Sequence, residues 1–405
     1  MSAFIIDLNK TYKYSDLLGY VNSTDSYYDV FRTNDLFSFY ANLIKCVVSN
    51  QSITLVDSDI QNYELKTLSL ENSVNHRVVL QKSSFTNIEE LRRIFLQSSS
   101  EITLFTSGTT GQPKKIAHSI QTLLRNIRVD KKYSKNIWGL AYNPAHMAGL
   151  QVFLQAFLNG NTLVNIFNLT RDDVYDEMEK NQITHISATP TFYRLLMPPK
   201  EIISSVSRIT LGGEKSDTRL LENIGKVFPN AKINNIYAST EAGALFSTSG
   251  EIFRIPQNIA DKVMIQDGEL LIHRSLLGKS DLLLIEKDFY NTGDLVEWVD
   301  YTNGLFRFLS RKNELINIGG YKVNPSEVEN IICKLEGVEH AVVFGKANSV
   351  LGNILCADII ISSNSNLKEE DIRSFLADNL QDFKIPRRIK FVEKLTLTRT
   401  GKIKR

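Results

Sequence analysis

Apolar and polar positions over the first 240 residues follow a helix-then-strand order that repeats along the chain. Residues 34–48 carry apolar side chains at helical spacing after Asn34-Asp35, which suits a helix cap, and residues 52–57 follow as a short strand. The same order recurs with helical spacing at 119–129 and at 148–158 before the strand 162–164, at 171–180 before 184–188, and at 217–228 before 232–237. This alternation predicts parallel strands covered by helices.

The pattern changes near residue 262. Short apolar runs separated by turn residues predict an antiparallel β subdomain, with strands at 268–272, 281–285 and 305–309. Beyond Arg311 the pattern predicts a compact α+β unit, with helices near 325–335 and 368–380 and strands at 341–345, 355–361 and 388–392. The predicted fold class is therefore α/β, with a large N-terminal domain (1–310) and a small hinged α+β C-terminal domain (311–405).

Composition narrows the class of protein. A chain of 405 residues is too long for one small core, and its net charge of +2 gives no electrostatic reason to expect nucleic acid as a partner. The cysteines Cys46, Cys333 and Cys356 are far apart and lie among apolar neighbours, which indicates buried free thiols rather than a zinc site. No leader pattern or run of membrane-spanning length is present, so we expect a cytoplasmic protein.

Residues 104–115 form the most informative loop, because they combine hydroxyls, glycines and lysines after an apolar strand. Glycines allow backbone N–H groups to approach a ligand closely, while hydroxyls and a lysine add donors and positive charge. The residues that predict a phosphate-binding loop are Thr106, Ser107, Gly108, Thr109, Thr110, Gly111 and Lys114. Pro113 separates Gly111 from Lys114, so this is not a Walker motif, and taken alone the segment also fits a flexible surface loop.

Four further segments extend this pattern. Residues 237–243 read Tyr-Ala-Ser-Thr-Glu-Ala-Gly, residues 290–294 read Tyr-Asn-Thr-Gly-Asp, residues 310–323 carry Arg311 and a Gly-Gly-Tyr step, and the chain end carries Thr-Gly-Lys402. In this order and spacing the set resembles the AMP-forming adenylating superfamily, which includes acyl- and aryl-CoA synthetases, adenylation domains and luciferases. Within this superfamily, the chain most resembles a small acyl- or aryl-CoA ligase with a shortened N-terminal region.

The resemblance implies roles for individual residues in binding ATP. The loop from Thr106 to Lys114 would hold the β- and γ-phosphates, and Lys402 would bridge the carboxylate and the α-phosphate. The remaining implied roles are Mg²⁺ for Glu241, the α-phosphate for Thr240, the adenine for Tyr237 with Gly213 and Glu214, and the ribose for Asp294 with Arg311. Taken singly, Asp294 also fits a turn residue, Glu241 a helix-terminal charge and Lys402 a solvated lysine.

Further implied roles concern the acid and the thiol. His146 corresponds to an aromatic or histidine gate over the substrate carboxylate, although a core histidine has the same local pattern. In the families that this chain resembles, domains that activate amino acids tend to place an aspartate here to pair with the substrate ammonium. No aspartate occurs in 141–150, so the resemblance favours an acid without an α-amino group. Asn313 takes the hinge position, where relatives usually carry Asp or Lys, and Gly319, Gly320 and Tyr321 would form a tunnel for the thiol. Ala238 and Thr396 are two other departures from the family pattern, at a usual glycine and a usual proline.

The resemblance implies activation of a small carboxylic acid by ATP and Mg²⁺, with acyl-adenylate and pyrophosphate as products, followed by transfer to a thiol. CoA is the expected acceptor. One alternative is a stand-alone enzyme that loads the phosphopantetheine of a carrier protein acting in trans. The other is a degenerate relative that binds a nucleotide or acyl ligand as a sensor or scaffold, which Asn313 and the short N-terminal region would favour.

Overall fold

The structure, a computed structural model, describes residues 2–106, 114–214, 216, 218–283, 285–318, 321–348, 352–362 and 364–395. Its strands are β1 (Ala3–Asp7), β2 (Lys10–Lys13), β3 (Ser26–Tyr28), β4 (Val30–Phe31), β5 (Ile53–Leu55), β6 (Arg77–Val79), β7 (Glu101–Thr106), β8 (Lys114–Ser119), β9 (Ile137–Leu140), β10 (Thr162–Asn165), β11 (His185–Ala188), β12 (Arg208–Gly212), β13 (Lys232–Ser239), β14 (Gly243–Thr248), β15 (Ile252–Arg254), β16 (Val263–Gln266), β17 (Glu269–His273), β18 (Ile285–Glu286), β19 (Phe289–Asp300), β20 (Leu305–Arg311), β21 (Ile316–Ile318), β22 (Tyr321–Val323), β23 (Val338–Asn348), β24 (Gly352–Ile361) and β25 (Arg388–Phe391).

The helices are α1 (Tyr14–Ser23), α2 (Leu36–Val48), α3 (Asn62–Thr67), α4 (Ile88–Gln97), α5 (Ile120–Leu124), α6 (Met147–Asn159), α7 (Arg171–Lys180), α8 (Pro190–Leu195), α9 (Thr218–Val227), α10 (Pro325–Ile332) and α11 (Glu369–Asn379). Short 3₁₀ segments occur at Lys131–Tyr133, Gln257–Lys262, Arg274–Leu276, Lys312–Glu314 and Asp382–Lys384. Within the described ranges, each helix is too short or too polar to cross a membrane.

The chain folds into two compact units. The first contains residues 2–262 and 272–290, and the second contains residues 263–271 and 291–395. This division places β20 with the C-terminal residues, because β20 pairs antiparallel with β19 along most of its length. The sequence-based boundary at residue 310 and the hinge at Asn313 stay predictions.

The first unit is built on a sheet whose strand order is β14-β13-β12-β11-β9-β10-β1-β2. Neighbouring strands from β1 to β13 in this order pair in parallel, and β2 and β14 pair antiparallel at the two edges. Parallel strands end at one edge of a sheet, so the residues that follow β11, β12 and β13 lie side by side. This confirms the parallel arrangement predicted from the helix-then-strand order.

A second sheet in the same unit has the strand order β4-β5-β7-β8. The helix α2 begins where predicted, since the Asp35 carboxylate accepts a hydrogen bond of 2.7 Å from the Ser38 N–H. It packs into an aromatic core, in which Tyr40 stacks on Phe153 with ring centroids 3.8 Å apart.

The second unit is built mainly on two sheets. β20, β19, β17 and β16 lie in that order in one sheet, while β23, β24 and β25 form another, against which the buried side chains of α10 and α11 pack. The predicted fold class, α/β with an antiparallel subdomain and a small C-terminal α+β unit, is confirmed.

Three predictions of detail were wrong. The strand predicted at 281–285 does not start where expected, because Asp281 and Leu282 lie in a turn. β18 pairs with β19 through a tight hairpin turn in which Lys287 and Asp288 adopt positive φ values. α5 ends at Leu124 rather than near residue 129, and the Arg125 guanidinium that follows donates to the Leu276 carbonyl oxygen. Cys333 is half-buried, whereas Cys46 and Cys356 are buried as expected.

Candidate active site

The carboxyl edge of the main sheet brings together two predicted nucleotide segments of the first unit, which follow β12 and β13. Glu214 follows β12, and its Oε2 accepts hydrogen bonds from the Thr191 N–H and hydroxyl at 3.0 and 2.7 Å. Gly213 has a φ of +84°, a backbone conformation that favours glycine at this turn. Tyr237 lies near the end of β13, and its ring stacks on Phe246 with centroids 5.5 Å apart.

Thr240 and Glu241 form a half-buried turn directly after β13. Their two carbonyl oxygens are bound by two different segments. The Thr240 carbonyl oxygen lies 2.7 Å from Nε2 of His118 on β8, and the Glu241 carbonyl oxygen accepts a hydrogen bond of 2.8 Å from the Gly278 N–H. The turn is therefore held through its backbone, while neither of these bonds uses the Thr240 hydroxyl or the Glu241 carboxylate.

The predicted phosphate loop is flanked by an antiparallel pair of strands. β7 and β8 pair from Glu101↔Ser119 to Thr106↔Lys114, so the strands close the two ends of the loop against each other. Ser107, Gly108, Thr109, Thr110 and Gly111 lie outside the described residues, as do Gly319, Gly320 and Lys402. The roles of these residues stay predictions.

His146 is the N-cap residue of α6, and its Nε2 lies 3.1 Å from Oδ2 of Asp57. Both side chains are mostly buried, with 19% and 12% of their surfaces exposed. Burial favours a raised pKa for Asp57, but the hydrogen bonds from the His146 side chain, the Asp59 N–H and the Asn143 side chain outweigh it and lower the pKa. The sequence places no aspartate in 141–150, and the fold supplies one from the segment after β5.

The second unit holds Asp294 and Arg311 together. Nε of Arg311 donates to Oδ1 of Asp294 at 2.8 Å, and only 7% of the Asp294 side-chain surface is exposed. The pair lies on paired positions of β19 and β20. This confirms the closeness of the two residues that the resemblance implies, and it leaves their binding to a ribose as a prediction.

Glu269 on β17 supports the same strands. Its Oε1 accepts a hydrogen bond of 3.0 Å from the Gly293 N–H, and its Oε2 lies 3.1 Å from Nζ of Lys312. Lys312 begins the 3₁₀ segment that contains Asn313, the predicted hinge residue. In the small sheet β21-β22 of the same unit, the predicted tunnel residue Tyr321 stacks on Phe383 with centroids 4.5 Å apart.

Sequence reasoning missed three of these supporting residues, which are Asp57, His118 and Glu269. Each acts on a segment far away along the chain, so no local spacing points to it. A weak signal exists for His118 and Asp57, because each is a titratable residue next to an apolar run that predicts a buried strand.

The acidic residues of the first unit fit one kind of metal. Among the described residues, no group of three or more His, Cys, Asp or Glu side chains is placed to hold a metal ion. Mg²⁺ is commonly bound by one or two carboxylates together with substrate phosphates and water, and a single carboxylate at Glu241 fits that pattern. A metal that needs a complete protein cage does not fit it.

Comparison with known families gives two matches. Residues 45–265 match the AMP-binding enzyme family, and residues 327–402 match the AMP-binding enzyme C-terminal domain. The chain is also 25% identical to the 2-succinylbenzoate–CoA ligase of Staphylococcus aureus (strain MRSA252), over 92% of this chain and 82% of the relative.

Solved structures share the fold at lower identity. An o-succinylbenzoate CoA synthetase (MenE) from Bacillus subtilis, in complex with the acyl-adenylate OSB-AMP, matches 99% of this chain and 94% of its own length, with a TM-score of 0.71 and 19% identity. The same synthetase in complex with ATP and a magnesium ion gives a TM-score of 0.70, 18% identity, and coverage of 99% and 95%. ATP-bound MatB from Rhodopseudomonas palustris gives a TM-score of 0.74 and 16% identity, and the match covers 99% of this chain and 94% of that structure.

Proposed function

Because this chain belongs to the AMP-binding enzyme family, we propose that it activates a small carboxylic acid with ATP and transfers the acyl group to the thiol of CoA. The family match covers more than half of the 405 residues and confirms the resemblance found in the sequence. It also confirms the prediction of an AMP-forming ligase. The proposal of an acid as substrate and of a thiol as acceptor rests on the similarity to a 2-succinylbenzoate–CoA ligase over 92% of the chain.

The reaction has two balanced steps. A carboxylate oxygen attacks the α-phosphorus of ATP, the bond to the bridging oxygen breaks, and pyrophosphate leaves with its electron pair. The thiol sulfur then attacks the acyl carbon, AMP leaves as the phosphate anion, and the thiol proton is released. The first step brings an anion towards a polyanion, so donors and positive charge must be fixed in place before the reaction.

We assign the triphosphate to the loop between Thr106 and Lys114 and the carboxylate–phosphate contact to Lys402. Thr240 would donate its hydroxyl hydrogen to the α-phosphate, and its position is supported by the two hydrogen bonds to the backbone of the turn. Asp294 would accept hydrogen bonds from the ribose, with Arg311 holding its carboxylate in orientation.

Glu241 would hold Mg²⁺ through its carboxylate, together with phosphate oxygens. When bound there, the ion supplies positive charge that neutralises the triphosphate. The adenine would lie against Tyr237, with the Gly213–Glu214 turn beside it. The engagement of Glu214 by Thr191 supports a role in shaping this turn.

We infer that His146 closes over the substrate carboxylate and that the acid has no α-amino group. Asp57 could have paired with a substrate ammonium, but its Oδ2 is engaged by His146 and its Oδ1 accepts the Asp59 N–H at 3.0 Å. An aryl acid with a second carboxylate, of the 2-succinylbenzoate kind, is the first candidate to test.

The experiment is a panel of aryl, short-chain and long-chain acids, including 2-succinylbenzoate, with ATP and Mg²⁺. Acid-dependent pyrophosphate release and a CoA thioester in the mass spectrum are the expected results. Lys402→Ala should abolish the acid-dependent exchange of pyrophosphate into ATP, whereas its neighbour variant Lys404→Ala should retain it. Absence of acid-dependent exchange across the panel would contradict the proposal and favour a binding protein.

CoA and a purified holo-carrier protein should be compared as acceptors in the same assay. We propose that CoA is the acceptor. If the thioester forms only on the carrier protein, the chain is instead a stand-alone enzyme that loads a carrier. We place the enzyme in the cytoplasm, where ATP and CoA are both available, with no nucleic acid as a partner. Cell fractionation, followed by detection of the chain with an antibody, tests that location.

A further inference from the structure

His118 is a buried histidine that the reaction described above does not use. It lies on β8, four residues after Lys114, and 1% of its surface is exposed. Its Nε2 lies 2.7 Å from the Thr240 carbonyl oxygen. A carbonyl oxygen only accepts hydrogen bonds, so Nε2 must carry the hydrogen.

The second nitrogen of the ring, Nδ1, is buried and has no hydrogen-bond partner among the described residues. A buried polar atom without a partner destabilises the folded state. An apolar side chain of similar size would fill the same space without that penalty. The feature that a histidine adds at this position is therefore the single bond from Nε2 to Thr240.

Gly278 fixes the ring from another segment. A Cβ atom at Gly278 would lie 2.6 Å from Cε1 of His118, so the chain passes directly against the imidazole. The segment is held there because Ala117 and Lys279 exchange two backbone hydrogen bonds of 2.9 and 2.7 Å. The Gly278 N–H in turn binds the Glu241 carbonyl oxygen at 2.8 Å.

We propose that His118 is a positioning residue for ATP activation, because it holds the Thr240–Glu241 turn in register with the strand that leaves the phosphate loop. The inference rests on the proposed function, which assigns Thr240 and Glu241 to the α-phosphate and Mg²⁺. Two neighbouring carbonyl oxygens bound by β8 and by the 278–279 segment leave the turn little freedom. Pre-ordering of this kind aligns a metal ligand before the substrate arrives.

The test compares His118→Leu with His118→Gln. Glutamine places an amide nitrogen near the position of Nε2 and keeps the donor, whereas leucine removes it. His185→Leu is the matched control, because His185 is a half-buried histidine of the first unit, hydrogen-bonded to the Thr184 hydroxyl at 2.9 Å and far along the chain from the proposed site. The readouts are acid-dependent pyrophosphate exchange at varied MgATP, MgATP affinity by calorimetry, and the thermal midpoint.

His118→Leu should raise the KM and the Kd for MgATP by about tenfold or more, while the KM for the acid stays within about twofold. His118→Gln should recover most of this loss, and His185→Leu should leave the MgATP constants unchanged. Equal MgATP constants for the leucine and glutamine variants would overturn the inference, as would equal losses for ATP and acid.

If His118→Leu does not fold, His118→Asn keeps a polar side chain but shortens its reach, and the same loss relative to His118→Gln is expected. An inactive wild-type protein that binds no MgATP would instead overturn the proposed function itself. Wild-type activity with an unaffected His118→Leu variant would overturn this inference alone.

Discussion

The Thr240–Glu241 turn of the first unit and Asp294 of the second unit are held by different means. In the first unit, the Thr240–Glu241 turn is held by neutral hydrogen bonds to its backbone from His118 and Gly278. In the second unit, Asp294 is held through its carboxylate by the Arg311 guanidinium, and Glu269 accepts from the Lys312 ammonium. The side chains of Thr240 and Glu241 can therefore be replaced without removing the bonds that hold their turn, whereas replacement of Asp294 removes the contact that orients it.

This difference should extend to the effect of salt. Hydrogen bonds between buried neutral groups are little screened by ions, whereas added salt weakens the attraction between exposed charges, and the Debye length is about 10 Å in 0.1 M salt. Within the second unit, salt should weaken the contact of Lys312 more than that of Asp294, because 61% of the Lys312 side-chain surface is exposed against 7% of that of Asp294.

The largest effect is expected for Glu241→Gln in the first unit. The change removes the charge of the proposed Mg²⁺ ligand but leaves the backbone bond to Gly278, so we expect the exchange rate to fall about 100-fold with an unchanged thermal midpoint. Pyrophosphate exchange and differential scanning fluorimetry check both parts. Glu222→Gln, an exposed glutamate on α9, is the control, and a loss of both activity and stability in Glu241→Gln would contradict the first half of the comparison.

A smaller loss, with a loss of stability, is expected for Asp294→Asn in the second unit. A neutral amide weakens both the bond to Arg311 and the proposed contact with the ribose, so the KM for ATP should rise about 10-fold and the free energy of unfolding should fall by about 1–3 kcal/mol. Steady-state kinetics and urea unfolding measure the two quantities. Asp300→Asn, farther along β19, should leave the KM for ATP unchanged, and an unchanged stability of Asp294→Asn would remove the contrast between the units.

Asp57→Asn sharpens the comparison within the first unit, because its contact with His146 is charged rather than neutral. We expect the KM for the acid to rise by about 3–10-fold, with the KM for ATP unchanged, since a neutral amide orients the imidazole less firmly. The lowered pKa of Asp57 stabilises the folded state above the unfolded-state pKa near 3.9, and this stabilisation is lost as the pH falls below it. Unfolding by urea between pH 7 and 3 should therefore show a weaker acid dependence in the variant, and an unchanged acid KM would argue against the gate.

His185 gives a pH test of neutral burial. Burial, followed by the nearby charge of Arg208, lowers the pKa of His185 to about 4. The unfolded chain, with a pKa of about 6.5, binds more protons than the folded chain between these values, so stability should fall as the pH drops from about 6.5 to 4. His185→Phe keeps a ring against Trp138 and should lose less stability in this window, as measured by urea midpoints at pH 7 and 4.5. An identical pH dependence would contradict the assignment.

The smallest effect is expected for Glu269→Gln. Glutamine keeps an oxygen that accepts from the Gly293 N–H and loses the exposed ion pair with Lys312, which is worth about 0–1 kcal/mol. The free energy of unfolding should fall by no more than that amount, and the difference from wild type should vanish in about 0.5 M salt. A larger loss that persists in salt would show that the second unit does not depend on screened charge at this position.

Much of the fold could be predicted from local pattern. The helix α7 has the same bounds in the sequence prediction and in the structure, since Thr170 caps it and Val174 and Met178 recur at helical spacing. The order of the strands in the sheet could not be predicted, because it depends on which distant segments pair. The strand predicted at 281–285 was wrong at its start because apolar leucines indicate burial, while Leu282 is exposed within a turn.

The candidate site divides in the same way. Short segments of recognisable sequence contain Thr240, Glu241, Asp294 and Arg311, so these residues could be predicted. The partners that hold them, such as His118 for Thr240 and Asp57 for His146, lie 122 and 89 residues away and are brought near only by folding. Positioning residues are therefore found by the structure and not by local spacing.

The central claim is that this chain cleaves ATP between the α- and β-phosphates to activate an acid. The most direct measurement is ³¹P NMR of the nucleotide products after turnover with 2-succinylbenzoate, Mg²⁺ and CoA. AMP and pyrophosphate are expected in equal amounts, together with a matching amount of thioester. ADP and inorganic phosphate as the products would contradict it.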